Sequence, residues 1–384
     1  MSNESFPHLC TSFQLAGKTL KNRVFLAPMC VCYFDEEGYV TPAVIEHYGR
    51  RARGGVSMVI TENLAVSRVG RQLPKQGLIY DERFLPGLTK LAAEIKRHGA
   101  LAVIQLVHAG RYAGSHQEHS EQRRLAPSAL PFLLHREQMI TPQEMSRGEI
   151  QESMQAFGEA AYLAQQAGFD GVEIHGAQGF LISEFLSPRM NLRTDEYGGS
   201  FENRTRLALD VVREVKAQVG RDFLVGFHLM SDEMLPGGWR TKDAVALAKL
   251  LEQEGVAFLI PIAATFETVR TPEHQDFLSR PLHNHAQCVE IKRNVHIPVF
   301  ANGRLEDPYV AEYILAAGEA DAIGLARPLL VDPDWVKKVL GERVKEIRTC
   351  SCTPPLCLRT QVTGGQCANW PEAVKAQGYL GYAD

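Results

Sequence analysis

Short β-branched and apolar runs alternate along this chain with longer amphipathic stretches, and the alternation sets the first expectation about its fold. Strands are expected over 24–29, 57–62, 101–107, 170–175, 223–229, 257–262, 299–301 and 322–325, with helical patterns such as 150–167 and 242–255 between them. Eight strand and helix pairs predict a closed parallel barrel, because right-handed crossovers put helices outside and bury both faces of every strand. The expected fold class is α/β, a (β/α)8 TIM barrel with a short cysteine-rich C-terminal extension. Chemistry in such a barrel gathers at the C-terminal ends of the strands.

Helix starts support the count. Thr41 precedes Pro42, Ser146 stands three residues before Glu149, Thr241 follows Gly237 and Gly238, and Ser200 caps a helix expected over 202–219. The stretch 112–145 is polar and irregular, with Pro127, Pro131 and Pro142. It is long for a connection and is expected to cover the substrate. No tandem repeat or low-complexity tract interrupts this order.

At 384 residues the chain can bury a large core, and one barrel with an extension fits that length. A net charge of −4 gives no reason to expect nucleic acid or an anionic membrane as partner. The start MSNESFPHLC lacks a basic segment followed by an apolar one. No apolar run approaches the roughly 20 residues of a membrane span, so a cytoplasmic protein is expected. Of eight cysteines, Cys350, Cys352, Cys357 and Cys367 crowd into one short stretch, which points to metal rather than a disulfide scaffold. The expected layout is a barrel over 1–340 and a metal-binding extension over 341–384.

The most specific stretch is 168–204, GFDGVEIHGAQGFLISEFLSPRMNLRTDEYGGSFENR. It joins a buried strand, a polar turn carrying His175 and Gln178, and a capped helix start. The pattern Asn191, Arg193, Asp195, Tyr197, Gly198, Gly199, Ser200, Glu202, Asn203, Arg204 is long enough to exclude chance. It resembles the old yellow enzyme family of FMN-dependent oxidoreductases, in the branch that includes 2,4-dienoyl-CoA reductase and trimethylamine dehydrogenase.

That resemblance implies an FMN on the barrel. Pro28, Met29 and Cys30 end the first strand, where the family contacts the flavin ring, and Cys30 is similar to the cysteine that tunes its redox potential. Gln105 offers a donor and an acceptor to the pyrimidine edge, and Asn63 occupies a position near the ring. Phosphate needs close backbone approach and a cation. Gly303 and Arg304 after the seventh strand, with Ala326 and Arg327 after the eighth, supply these where barrels often bind phosphate.

The resemblance also places His175 and Gln178 as two donors on one substrate oxygen, polarising a conjugated C=C bond so that its β-carbon accepts hydride. Two departures stand out. Phe180 replaces a tyrosine that protonates the α-carbon, leaving Tyr33 and Tyr112 as candidate acids. His228 stands where relatives carry an arginine that offsets negative charge on reduced flavin. Histidine can do so only when protonated, so a pH-sensitive flavin potential is expected.

The spacing C-x-C-x4-C-x9-C suits a four-iron, four-sulfur cluster, with structural zinc as the alternative. The sequence ends at Asp384 without the FAD- and nicotinamide-binding domains of larger members of the branch. Electrons are therefore expected from NAD(P)H directly, or through the cluster from a separate reductase. Three functions follow as expectations. The first is reduction of an activated C=C bond in an enone, enoate or enoyl-CoA; the second is amine dehydrogenation or oxidative demethylation on the same barrel. The third is an electron-transfer flavin subunit without a small substrate of its own. Homo-oligomerisation stays open.

Overall fold

A computed structural model describes residues 4–115, 123–135, 138–352, 356–357, 362 and 364–370. Eight parallel strands form the centre: β1 (Val24–Leu26), β2 (Met58–Ala65), β3 (Leu101–Val107), β4 (Gly171–Gly176), β5 (Leu224–Asp232), β6 (Phe258–Ala263), β7 (Phe300–Ala301) and β8 (Ala322–Leu325). They are hydrogen-bonded in the cyclic order β6, β5, β4, β3, β2, β1, β8, β7. A parallel bridge between Leu259 and Val299 joins the two ends, so the sheet closes as the sequence pattern predicts.

Helices occupy the crossovers: α1 (Pro42–Arg53), α2 (Leu85–Arg97), α3 (Arg147–Gln166), α4 (Phe201–Gln218), α5 (Thr241–Gln253), α6 (His285–Lys292) and α7 (Pro308–Ala316). Local chemistry starts several of them. Thr41 accepts from the Val44 N–H, Ser200 accepts from Asn203, and Ser146 and Glu149 form a reciprocal capping box. No helix among the described residues is long and apolar enough to cross a membrane.

The core has two parts. Alternate strand residues and the inner helix faces, among them Val172, Ile174, Phe227 and Leu259, form the shell between barrel and helices. Inside the barrel, Phe25, Met58, Phe258, Ile260 and Phe300 pack with Leu15 and Leu20 of an N-terminal hairpin that plugs the lower end. Phe258 stacks on Phe300 at 5.0 Å, and Gly226 leaves the room, since a Cβ there would lie 2.1 Å from the Phe258 ring. Each buried phenylalanine contributes about 1.5–3 kcal/mol. The plugged lower half leaves the upper half for polar groups.

The stretch 112–145, partly outside the described residues, is not wholly irregular. Leu125–Ala126 pairs with Gln143–Glu144, and Phe132–His135 forms an antiparallel ribbon with Gln138–Ile140. Phe132 and Leu134 pack with Tyr112 and Phe180, which brings this excursion over the strand ends.

Candidate active site

Strand register brings the polar groups together. On β4, Glu173 lies beside Gln105 of β3, and His175 lies beside His228 of β5. Two-residue alternation points Glu173 and His175 into the barrel, with Glu173 one layer deeper. His228 Nδ1 donates to Glu173 Oε1 at 2.8 Å, and Gln105 Nε2 donates to Glu173 Oε2 at 2.8 Å. Glu173 is fully buried, so these two bonds replace the water that its carboxylate has lost. Sequence reading missed Glu173; the signal was an acid at an inward position of an otherwise apolar strand.

Gln105, His175, Gln178 and His228 all line one cavity at the strand C-termini. His175 Nδ1 accepts from the Ala177 N–H at 3.3 Å, which leaves the proton of the neutral ring on Nε2. Burial, with the nearby His228 adding to it, holds the His175 imidazole well below the usual histidine range, with the Gln178 side chain pulling the other way. Gln178 sits at φ 60°, in the left-handed region that a non-glycine residue adopts only when its surroundings hold it there.

Phe180 also lines the cavity, edge-on to His175 at 4.9 Å. Phe266 packs against Phe180 at 5.4 Å and Tyr112 at 5.2 Å, so these three rings converge. Tyr33 does not. Its hydroxyl donates to the Gly365 carbonyl, and its ring packs edge-on to His47, outside the cavity lining. The expectation that Tyr33 protonates substrate is therefore corrected: the segment carrying it turns outward after Cys32 to meet the C-terminal extension. Tyr112 is capped by Arg111, whose guanidinium lies 5.1 Å from its ring and 4.8 Å from that of Phe132. Glu267 binds Arg189 and Arg111.

At the other end of the cavity lie Gly303, Arg304, Ala326 and Arg327, together with Pro28, Met29, Cys30 and Asn63. Arg304 is committed to Glu306 at 2.6 Å and to the Ser279 and Cys350 carbonyls. Arg327 donates one nitrogen to the Leu278 carbonyl, while its buried Nη1 has no partner among the described residues. A buried, unpaired guanidinium nitrogen is costly unless an anion meets it. Gly303 has φ 103°, and a Cβ there would lie 3.1 Å from the Asn284 backbone nitrogen. A spare cationic donor beside close-packed glycine backbone fits the phosphate of FMN. His283 also lines this end, its ring pushed down to about 4 mainly by burial, and the sequence reading passed over it.

The C-terminal cysteines gather as well. Cys350, Cys357 and Cys367 are buried in one cluster with Trp370, Leu330 and Val331, against Met29 and Tyr33. Thiolates about 2.3 Å from one zinc ion stand about 3.7 Å apart at tetrahedral corners. Among the described residues, no three of these sulfurs lie within 4.8 Å of one another.

Residues 8–346 match the NADH:flavin oxidoreductase / NADH oxidase family. The chain belongs to that family. It is 37% identical to an NADH oxidase of Thermoanaerobacter brockii, over 90% of this chain and 53% of that protein. It is 36% identical to an NADPH dehydrogenase of Bacillus cytotoxicus, over 88% of this chain and 94% of that one. Among solved structures, a 2-naphthoyl-CoA reductase in complex with 2-naphthoyl-CoA superposes with a TM-score of 0.90 at 27% identity. The match covers 96% of this chain and 57% of that one. The chain spans about half the length of the first curated relatives it matches. Its barrel is that of the old yellow enzyme family of FMN-dependent oxidoreductases.

Proposed function

We propose that this chain reduces C=C bonds conjugated to a carbonyl or carboxylate, in enones, enoates or enoyl-CoA thioesters, with NAD(P)H as electron donor. The observation that carries this reading is that His175 and Gln178 share the wall of the cavity that also holds Arg304 and Arg327. With its phosphate on Arg327 and Arg304, FMN would supply hydride transfer, which no side chain performs.

The chain's own residues do the rest. His175, neutral because of its burial, donates Nε2–H to the substrate oxygen, and the Gln178 amide donates to the same atom. Two fixed donors stabilise the negative charge that grows on that oxygen as the β-carbon is reduced. Phe180 and Phe266 supply the apolar wall. With Phe180 lacking a hydroxyl and Tyr33 turned to Gly365, solvent provides the α-carbon proton. Likeness to a 2-naphthoyl-CoA reductase favours an acyl-CoA among the substrate classes.

The amine-oxidising alternative needs open aromatic faces for a cation, and the Arg111 guanidinium already covers Tyr112 and Phe132. The convergence of polarising donors on an apolar cavity weighs against an electron carrier without a substrate. Cys350, Cys352, Cys357 and Cys367 are the residues that would hold a four-iron, four-sulfur cluster, supplying a one-electron relay from a separate reductase. The burial of Cys350, Cys357 and Cys367 in one cluster supports that assignment.

Steady-state assays with NAD(P)H and a panel of enones, enoyl-CoAs and methylamines, alongside anaerobic iron and sulfide analysis, test both parts. Turnover of conjugated alkenes is expected. Turnover of methylamines alone, or of nothing despite fast electron exchange with a partner, would overturn the reductase reading.

A further inference from the structure

A second constellation sits against the cavity wall, and of its three residues only Cys30 borders the space given to the flavin. The segment after β1 carries Cys30 and Cys32, and β2 carries Glu62. Cys30 Sγ lies 3.4 Å from Cys32 Sγ and 3.2 Å from Glu62 Oε2. One donor atom from each of the three lies within 4.8 Å of the other two. Cys30 borders the cavity, while Cys32 and Glu62 are buried beneath it.

This convergence is held in place. Cys32 has φ 53°, a left-handed conformation that is costly for a side chain with a Cβ and that folds its thiol back towards Cys30. Glu62 Oε2 accepts from the Val31 and Cys32 backbone N–H groups at 3.2 and 3.0 Å, and Oε1 from the Tyr48 hydroxyl at 3.4 Å. The carboxylate is thus fixed in orientation and completely buried. Its partners are all neutral, and no lysine or arginine pairs with it among the described residues. Burial pushes this carboxyl from 4.5 up to about 7, and a cation seated beside it would stabilise the charged form that the chain itself leaves uncompensated.

We propose that Cys30, Cys32 and Glu62 form a binding site for a thiophilic divalent cation of the zinc class, with three protein donors. The spacing matches. Two sulfurs on one tetrahedral ion stand about 3.7 Å apart, and a sulfur and a carboxylate oxygen about 3.5 Å. The observed 3.4 and 3.2 Å are a few tenths of an ångström shorter, as expected for donors that hold protons instead of a metal. Two thiolates select soft or borderline ions over magnesium or calcium. On binding, each thiol releases its proton to solvent, and the ion takes its place between the sulfurs. The site shares no donor with the C-terminal cysteine cluster and needs no flavin.

The test is titration of the purified protein, with its cofactors in place, with cadmium-113 followed by 113Cd NMR. One resonance of mixed two-thiolate and oxygen coordination is expected at one equivalent, separate from the more deshielded all-thiolate signal of any cadmium on the C-terminal cysteines. Cys32→Ser should remove it, and Glu62→Gln should weaken binding by about tenfold or more. Absence of a two-thiolate resonance in the wild-type protein would overturn the proposal whether or not the variants fold. Recovery of Cys30 and Cys32 as a disulfide-linked peptide from protein kept at neutral pH without reductant would overturn it too.

Discussion

His228 donates from Nδ1 to Glu173 Oε1 at 2.8 Å, and the two side chains form a buried acid and imidazole pair at the floor of the cavity. Glu173 thereby decides what His228 presents to anything above it. With the Nδ1 proton committed to the carboxylate, Nε2 is a lone-pair acceptor in the neutral ring and a donor only in the imidazolium. Where relatives use a permanently charged arginine, this chain uses a residue whose charge follows the proton.

Flavin potential should therefore depend on pH differently in His228→Arg and in the wild type. A proton gained by His228 on two-electron reduction adds about 30 mV per pH unit to the slope of midpoint potential against pH. Arginine, always charged, removes that increment. Spectroelectrochemical titration between pH 6 and pH 9 compares the two, and identical slopes would count against a proton-coupled role for His228.

FMN affinity should fall unequally at the two arginines. Arg327 keeps a buried nitrogen unpaired, whereas Arg304 is already held by Glu306 and two carbonyls. Arg327→Ala is expected to weaken FMN by about 10- to 100-fold, the worth of one charge-assisted hydrogen bond, and Arg304→Ala by less. Recovery of free-flavin fluorescence on dilution measures both.

Phe180→Tyr places a phenol beside His175, where the wild-type chain has only a ring edge. If solvent protonation limits alkene reduction, kcat should rise by about tenfold or more, at the low end of what a positioned acid supplies. Rapid-reaction measurement of flavin reoxidation by a conjugated alkene reads the effect directly; an unchanged rate means that proton delivery is not limiting.

Glu184 makes a stability prediction. Burial pushes its carboxyl from the ordinary 4.5 up to about 8, against the pull of Arg111, whose Nε stands 3.9 Å away. Arg111 lies closer to Glu267, at 3.2 Å, so its charge is largely spent there. Because the folded-state value is raised, the folded chain holds a proton that the unfolded chain has lost between pH 4.5 and about 8. Stability contributed by the neutral form is complete below that window and declines by up to about 1.4 kcal/mol per pH unit across it. Glu184→Gln mimics the neutral acid and should flatten this decline by one proton. Urea denaturation at several pH values, compared between the two proteins, checks it.

Much of this molecule is visible in its residue order. All eight strands lie where apolar runs predict them, although β2 and β5 extend three residues further, to Ala65 and Asp232, since register shifts let their polar ends stay paired. Gln105, His175, Gln178, His228, Arg304 and Arg327 were all legible as candidates and share one cavity. Tyr33 was misjudged because two residues of separation from Cys30 say nothing about direction, and the left-handed turn at Cys32 sends it outward. Glu173 and Glu62 were overlooked for a related reason: an acid in a strand reads as solvent-facing until both of its neighbours are known.

Periodicity, turn chemistry and the 168–204 motif are local properties, written in consecutive residues. They were sufficient for the barrel, the family and the strand ends that carry the chemistry. Pairings across the barrel are of another kind. That Glu173 meets His228, that Cys30 and Cys32 meet Glu62, and that Arg327 keeps a nitrogen free depend on sheet closure and strand register. Those distances come into being when the chain closes on itself, because a one-residue slip of a strand would turn Glu62, Glu173 or His228 to the opposite face.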